Sequence, residues 1–129
     1  MTTILLVDDE EGVRNLVTAT LKGKGYKVLL ARDSDQAMQM SDAHEGPIEL
    51  LIVDQVMPPF MGGPELAACI RMLRPEVKVL YISGYNASDA VLDELGDASA
   101  DFLRKPFPPD VLLKKVRRLA GEAVAGGAA

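Results

Sequence analysis

Four short apolar runs recur along the chain, and each stops on a polar residue. Ile4-Leu5-Leu6-Val7 stops at Asp8-Asp9, and Leu50-Leu51-Ile52-Val53 stops at Asp54. Val79-Leu80-Tyr81-Ile82 stops at Ser83-Gly84, and Phe102-Leu103 at Arg104-Lys105-Pro106. Runs this short, bounded by turn signals, read as strands buried on both faces, the mark of a parallel sheet. Open α/β sheets place their ligand crevice at the carboxyl ends of such strands. Three acids, a hydroxyl and a lysine therefore stand where a site would form.

The stretches between the runs carry helical spacing. Strands are predicted over 3–7, 26–31, 49–53, 77–82 and 100–103. Helices are predicted over 10–22, 34–44, 64–73 and 88–95, with a last one opening at Pro108-Pro109-Asp110. The first helix should turn Val13, Leu16, Val17 and Leu21 inward, and Gly23 and Gly25 should stop it. Asp33 followed by Gln36 resembles a capping box. Pro64 suits a first helical turn, ahead of an inward Leu66, Ile70 and Leu73. The helix over 88–95 should bury Val91, Leu92 and Leu95. The last should bury Val111, Leu112, Val116 and Leu119. Five alternating strand–helix units give an α/β fold: one doubly wound parallel sheet of five strands. One domain is expected over 1–122, with 123–129 a disordered Ala/Gly-rich tail.

The totals narrow the function. With 129 residues, 48% of them hydrophobic, the chain can bury a core. A net charge of −5 argues against binding nucleic acid by phosphate neutralisation. No apolar run approaches transmembrane length, and no secretory signal is visible. The single cysteine, Cys69, excludes an internal disulfide and suits a reducing cytoplasm, so a cytoplasmic location is expected. Cys69 itself reads as a small buried hydrophobe.

Each polar strand end also has an ordinary reading. Asp8 and Asp9 could open a helix by capping it and favouring its dipole, as could Glu10 and Glu11. Asp54 and Ser83 could be turn residues, Lys105 a solvated lysine, and His44 a surface residue at a helix end. Together they say more. Acids at adjacent strand ends repel one another and need compensation. A hard divalent cation such as Mg2+ supplies it, since it takes a few carboxylates plus water. Lys105 would add a further positive charge at the same edge.

Asp8-Asp9, Asp54-x-x-Met57-Pro58, Ser83-Gly84 and Lys105-Pro106-Phe107, in that order and at those separations, resemble the receiver domain of two-component response regulators. The resemblance runs from Thr3 to about Leu119. Tyr81-Ile82-Ser83-Gly84-Tyr85 and Phe102-Leu103-x-Lys105-Pro106-Phe107 are most similar to receivers of hybrid sensor histidine kinases. The resemblance implies a flavodoxin-like strand order, 2-1-3-4-5. It implies Asp54 as phosphoacceptor and Mg2+ held by Asp8, Asp9, Asp54 and the Val56 backbone carbonyl. Lys105 would pair with Asp54 and then with a phosphoryl oxygen, and Ser83 would hydrogen-bond another. Phe102 would be the aromatic switch residue, where the family more often has tyrosine, and the Lys105–Pro106 bond would be cis. The implied phosphodonor is a histidine kinase or histidine phosphotransfer protein. The implied output is a downstream protein on the face formed by the 88–95 helix, the 100–103 strand and the last helix. Direct contact with nucleic acid or membrane is not expected. The loop after Pro58 holds one residue more than the family's usual spacing, and its Phe60 and Met61 would either pack on the loop or touch a partner.

Two other readings compete. An aspartyl-phosphate phosphohydrolase usually carries a second acid two residues after its nucleophile, and here that residue is Val56. A pseudo-receiver would bind partners without being phosphorylated, and the intact acid set argues against it. A phosphoacceptor signalling domain, not an enzyme with a separate substrate, is the expected function.

Overall fold

The computed structural model describes residues 2–54, 62–83 and 100–121. Its elements are β1 (Thr2–Val7), α1 (Glu11–Leu21), β2 (Tyr26–Ala31), α2 (Ser34–Ala43), β3 (Leu50–Asp54), α3 (Gly63–Leu73), β4 (Lys78–Ser83), β5 (Ala100–Arg104) and α4 (Pro109–Leu119). All strand pairs are parallel and the order is β2-β1-β3-β4-β5. That is the doubly wound sheet expected from the alternating pattern. The expected 88–95 helix, the loop with Val56, Phe60 and Met61, and the 123–129 tail lie outside the described residues.

Crossovers that keep one hand place helices on both faces of such a sheet. One face is covered by α2 and α3, whose Ala37, Leu66, Ala67 and Ile70 pack with Leu5, Val7, Leu51, Val53, Val79 and Tyr81. The other is covered by α1 and α4, whose Val17, Leu21, Leu112 and Val116 pack with Ile4, Leu6, Leu50, Ile52, Leu80 and Ile82. Side chains alternate faces along a strand, so Leu50 and Leu51 serve opposite layers. Each Leu or Ile so buried contributes about 1.5–3 kcal/mol. The continuous apolar runs are thus explained by burial on both sides.

The helix ends follow local chemistry, with some departures from expectation. Asp33 Oδ1 accepts from the Gln36 N–H at 2.8 Å, as a cap should. The Gln36 side chain, however, reaches back to the Arg32 N–H at 2.8 Å, so the box closes one residue early. Gly23 and Gly25 have φ of 79° and 92° just past α1, a conformation that costs glycine little. The α1 cap is Glu10, with no side-chain hydrogen bond to the helix, so neither Asp8 nor Asp9 plays that part. Leu16 is 39% exposed because it stands about 100° round α1 from buried Val17. Leu73 is 60% exposed, since no described element covers the end of α3. Cys69 is half-buried, not fully buried as expected. β3 runs one residue further than expected, so Asp54 is its last residue and not the first of a loop.

At the amino end of the sheet, Arg74 follows α3 and holds the end of α2. Its Nε donates to Ser41 Oγ at 3.1 Å, and Nη1 to the Gly46 carbonyl at 2.6 Å. Nη2 donates to the carbonyls of Ser41 and His44 at 2.8 and 2.9 Å. His44 is thus a half-buried helix cap whose carbonyl is tied to α3.

Candidate phosphoacceptor site

The register of three strands builds the site. Val7 pairs with Val53, and Asp54 pairs with Ile82, so β1, β3 and β4 end level with one another. Asp8 continues directly from β1, its N–H donating to the Ala31 carbonyl at 3.1 Å. Asp8 and Asp54 therefore meet over the carboxyl ends of the central strands. The side-chain oxygens of Asp8, Asp9, Glu10 and Asp54 include a set lying within 4.8 Å of one another. Asp8 and Asp54 are buried, and Asp9 and Glu10 exposed.

Asp8 is fully buried and fixed on three sides. Its Oδ1 accepts from the Glu10 N–H at 2.8 Å, and its carbonyl accepts from Arg14 Nη1 at 2.6 Å. Its Oδ2 is buried and makes no hydrogen bond. The Lys105 ammonium is 3.4 Å from that oxygen. Burial pushes the Asp8 carboxyl up to about 6, and the charge of Asp54 adds to the rise. The Glu10 N–H and Lys105 work against it.

Lys105 follows β5 and is not the solvated lysine of the ordinary reading. Its side chain is 14% exposed, and its Nζ donates to Glu10 Oε1 at 2.8 Å and to Asp54 Oδ2 at 3.0 Å. Burial alone would lower its pKa. The hydrogen bonds to Glu10 and Asp54, with the charges of Asp8 and Asp54, outweigh that and hold it above the usual lysine value. The Lys105–Pro106 bond is cis, as the resemblance implied.

Ser83 closes β4 opposite Arg104. Phe102, opposite Tyr81 in β5, is half-buried against the α2/α3 layer. Val56 lies outside the described residues. Glu10 and Arg14 were not anticipated as site residues. Glu10 looked like a first-turn acid, and nothing local points to a lysine 95 positions away.

The acid set suits a hard divalent cation. An unbonded buried carboxylate oxygen beside a second buried carboxylate is unfavourable without a cation, and oxygen-only donors are the chemistry of Mg2+. Among the described residues no helix is long and apolar enough to cross a membrane.

Comparison with known proteins agrees with this fold. Residues 4–117 match the family model described as response regulator receiver domain. The chain is 36% identical over 118 residues to sensor kinase CckA of Brucella abortus (strain 2308), covering 91% of this chain and 12% of that protein. It is 30% identical over 116 residues to a putative NtrX-like response regulator of Rickettsia felis (strain ATCC VR-1525 / URRWXCal2), covering 89% of this chain and 24% of that protein. The chain thus spans a quarter or less of the length of both relatives. Among solved structures, chemotaxis protein CheY4 of Vibrio cholerae superposes with a TM-score of 0.80 at 28% identity, covering 92% of this chain and 98% of that one. A sheet of this order and a family model spanning nearly all of it leave one assignment: the chain belongs to the response regulator receiver domains of two-component signalling.

Proposed function

We propose that this receiver takes a phosphoryl group from a histidine kinase or histidine phosphotransfer protein onto Asp54. The single observation that carries the reading is Asp54 at the end of β3, its Oδ2 3.0 Å from the Lys105 ammonium and its carboxylate beside Asp8. In the reaction an Asp54 oxygen forms a bond to phosphorus. The donor's bond to phosphorus breaks, and its electron pair leaves with the donor. Such transfer is mostly positioning and neutralisation of the phosphoryl oxygens. Lys105 supplies one fixed positive charge for them, and its carboxylate partners keep it fully protonated. Asp8, Asp9 and Asp54, with the Val56 carbonyl, would hold Mg2+. The ion when bound would supply the remaining neutralising charge. Ser83 would hydrogen-bond a phosphoryl oxygen.

On this reading the chain catalyses only its own phosphorylation and dephosphorylation, in the cytoplasm. Output would leave by a protein surface that includes β5 and α4, with Phe102 as the switch between two packings a few kcal/mol apart. Its position beside Tyr81 supports this. Beryllofluoride with Mg2+ should then shift the Phe102 amide and ring NMR signals well beyond those of Tyr26 on the far edge strand. Equal small shifts at both would remove Phe102 as the switch.

The test of the phosphoacceptor is direct. The protein is incubated with Mg2+ and a small phosphodonor, then reduced with borohydride, which converts an aspartyl phosphate to homoserine. Peptide mass spectrometry should place the change on Asp54 alone, and only in samples that received Mg2+. A change at another residue, or none, would overturn the reading.

A further inference from the structure

Lys105 is shared among three carboxylates, and the shortest contact is the one the phosphoryl chemistry does not require. Asp8 Oδ2 and Asp54 Oδ2 lie 3.4 and 3.0 Å from Nζ, and Glu10 Oε1 lies at 2.8 Å. The first two belong to side chains 0% and 9% exposed, whereas the Glu10 side chain is 60% exposed. The ammonium is therefore held from below by two buried acids and from the solvent side by one exposed acid.

Glu10 is placed for this by its backbone. It is the α1 cap residue, its N–H bonded to Asp8 Oδ1 and its carbonyl accepting from the Arg14 N–H at 3.1 Å. A cap residue's side chain ordinarily turns back to the first helical N–H groups. Glu10 makes no such bond and reaches across to the lysine instead. An ammonium has three donors, and here three carboxylates surround it. Glu10 and Asp54 each accept a hydrogen bond from it and the buried Asp8 Oδ2 lies 3.4 Å away, so a phosphoryl oxygen arriving from solvent meets the ammonium on the side that Glu10 covers. Of the three, only Glu10 is exposed, so it is the partner that an incoming group can reach and displace.

We infer that Glu10 is a positioning residue that latches Lys105 in the unphosphorylated protein and slows phosphorylation of Asp54. This rests on the proposed role of Asp54. The latch makes the lysine unavailable to the incoming group until Glu10 lets go. It also sets a negative charge on the solvent side, where a dianionic donor must approach.

The experiment compares wild type with Glu10→Ala, Glu10→Gln and Glu10→Asp, using a small dianionic phosphodonor at saturating Mg2+. Glu10→Ala and Glu10→Gln should be phosphorylated about three- to tenfold faster, the scale of one screened charge acting on a dianion at close range. The gain should shrink toward unity at molar salt, which screens the exposed pair in the wild type. Glu10→Asp keeps the charge but is one methylene short of the ammonium, so it too should exceed wild type. The second readout needs no reaction. The Lys105 ε-methylene NMR signals of the unphosphorylated protein should move in Glu10→Ala, and the Mg2+-induced rise in Tm should persist. Unchanged Lys105 signals, or variants no faster than wild type, would overturn the latch. Loss of the Mg2+ response with slower phosphorylation would make Glu10 a metal ligand and overturn it as well. A wild type that takes up no phosphoryl group overturns the Asp54 reading itself. A phosphorylated wild type with unaltered variants overturns the latch alone.

Discussion

Without divalent cation, Asp8→Asn should melt several degrees above the wild type, and in millimolar Mg2+ the order should reverse. The Asp8 carboxylate is fully buried, and its Oδ2 has no hydrogen bond. Asparagine keeps an acceptor for the Glu10 N–H and removes the charge. A rise from 3.8 to about 6 corresponds to at most about 3 kcal/mol at pH 8. That rise already includes the Lys105 attraction; the asparagine amide N–H groups, set beside the ammonium in a buried place, offset part of the gain, which leaves about 1–2 kcal/mol, or roughly 4–8 °C in Tm. The pH dependence has a definite sign. The folded carboxyl binds its proton more tightly than the unfolded one. Its contribution to stability is complete below pH 3.8 and is lost as pH rises through about 6. The variant's advantage should therefore be absent near pH 3.5, grow to pH 6 and level off above it. A cation that binds only the native state adds stability by mass action, about 2.7 kcal/mol at a hundred times its Kd. The wild type should gain this, and Asp8→Asn should gain little of it. Phosphorylation of the variant should fall by about a hundredfold or more, since removing fixed charge stabilisation costs that much. Thermal scans across pH, with and without Mg2+, decide the matter. A variant that melts below wild type without metal, or gains equally from Mg2+, would falsify the account.

Arg74→Ala should be the more damaging change to the fold. The last carbonyls of a helix have no partner within it and carry the negative end of its dipole. α2 has no basic residue in its last turn. Arg74 brings a guanidinium from another element to the carbonyls of Ser41, His44 and Gly46 and to the Ser41 hydroxyl, and Ser41 is itself buried. Water can reach the Gly46 carbonyl, whose bond is exposed, more readily than the buried group on Ser41. The net loss should be about 2–3 kcal/mol, or roughly 6–15 °C in Tm. Arg74→Lys should recover less than half, because one ammonium cannot span the fork. Equal melting of Arg74→Lys and wild type would show that charge alone, without the fork, holds this corner.

Much of this was legible in the sequence because it is written locally. Apolar runs such as Leu50–Val53 announce buried strands through their own composition. A polar residue that stops such a run marks the strand end, so Asp8, Asp54, Ser83 and Lys105 could be placed on one edge before any coordinates. What was not legible is set by distant partners. Leu16 and Leu73 fit a helical stripe, but the stripe says nothing of how far the neighbouring layer extends. Arg74 stands just past the predicted 64–73 helix, and its bonds lie about thirty residues back along the chain. Glu10 read as an acid favouring a helix start. Its partner, Lys105, becomes a neighbour only when β1 and β5 are brought to the same edge.

The two rims of the sheet carry different duties. The carboxyl rim holds the buried acids, and the burial of the Asp8 carboxylate there opposes folding until a cation compensates it. The amino rim holds Arg74 and the exchange in which Glu49 accepts from the Thr3 N–H through its side chain and donates to the Thr3 carbonyl through its backbone. Proteins often lose activity when strained active-site residues are stabilised. In this receiver the bracing that offsets the strain lies a full strand length from the chemistry. An engineer could therefore raise its heat tolerance at the amino rim, around α2 and the start of β3, and leave the reactivity of the opposite rim untouched.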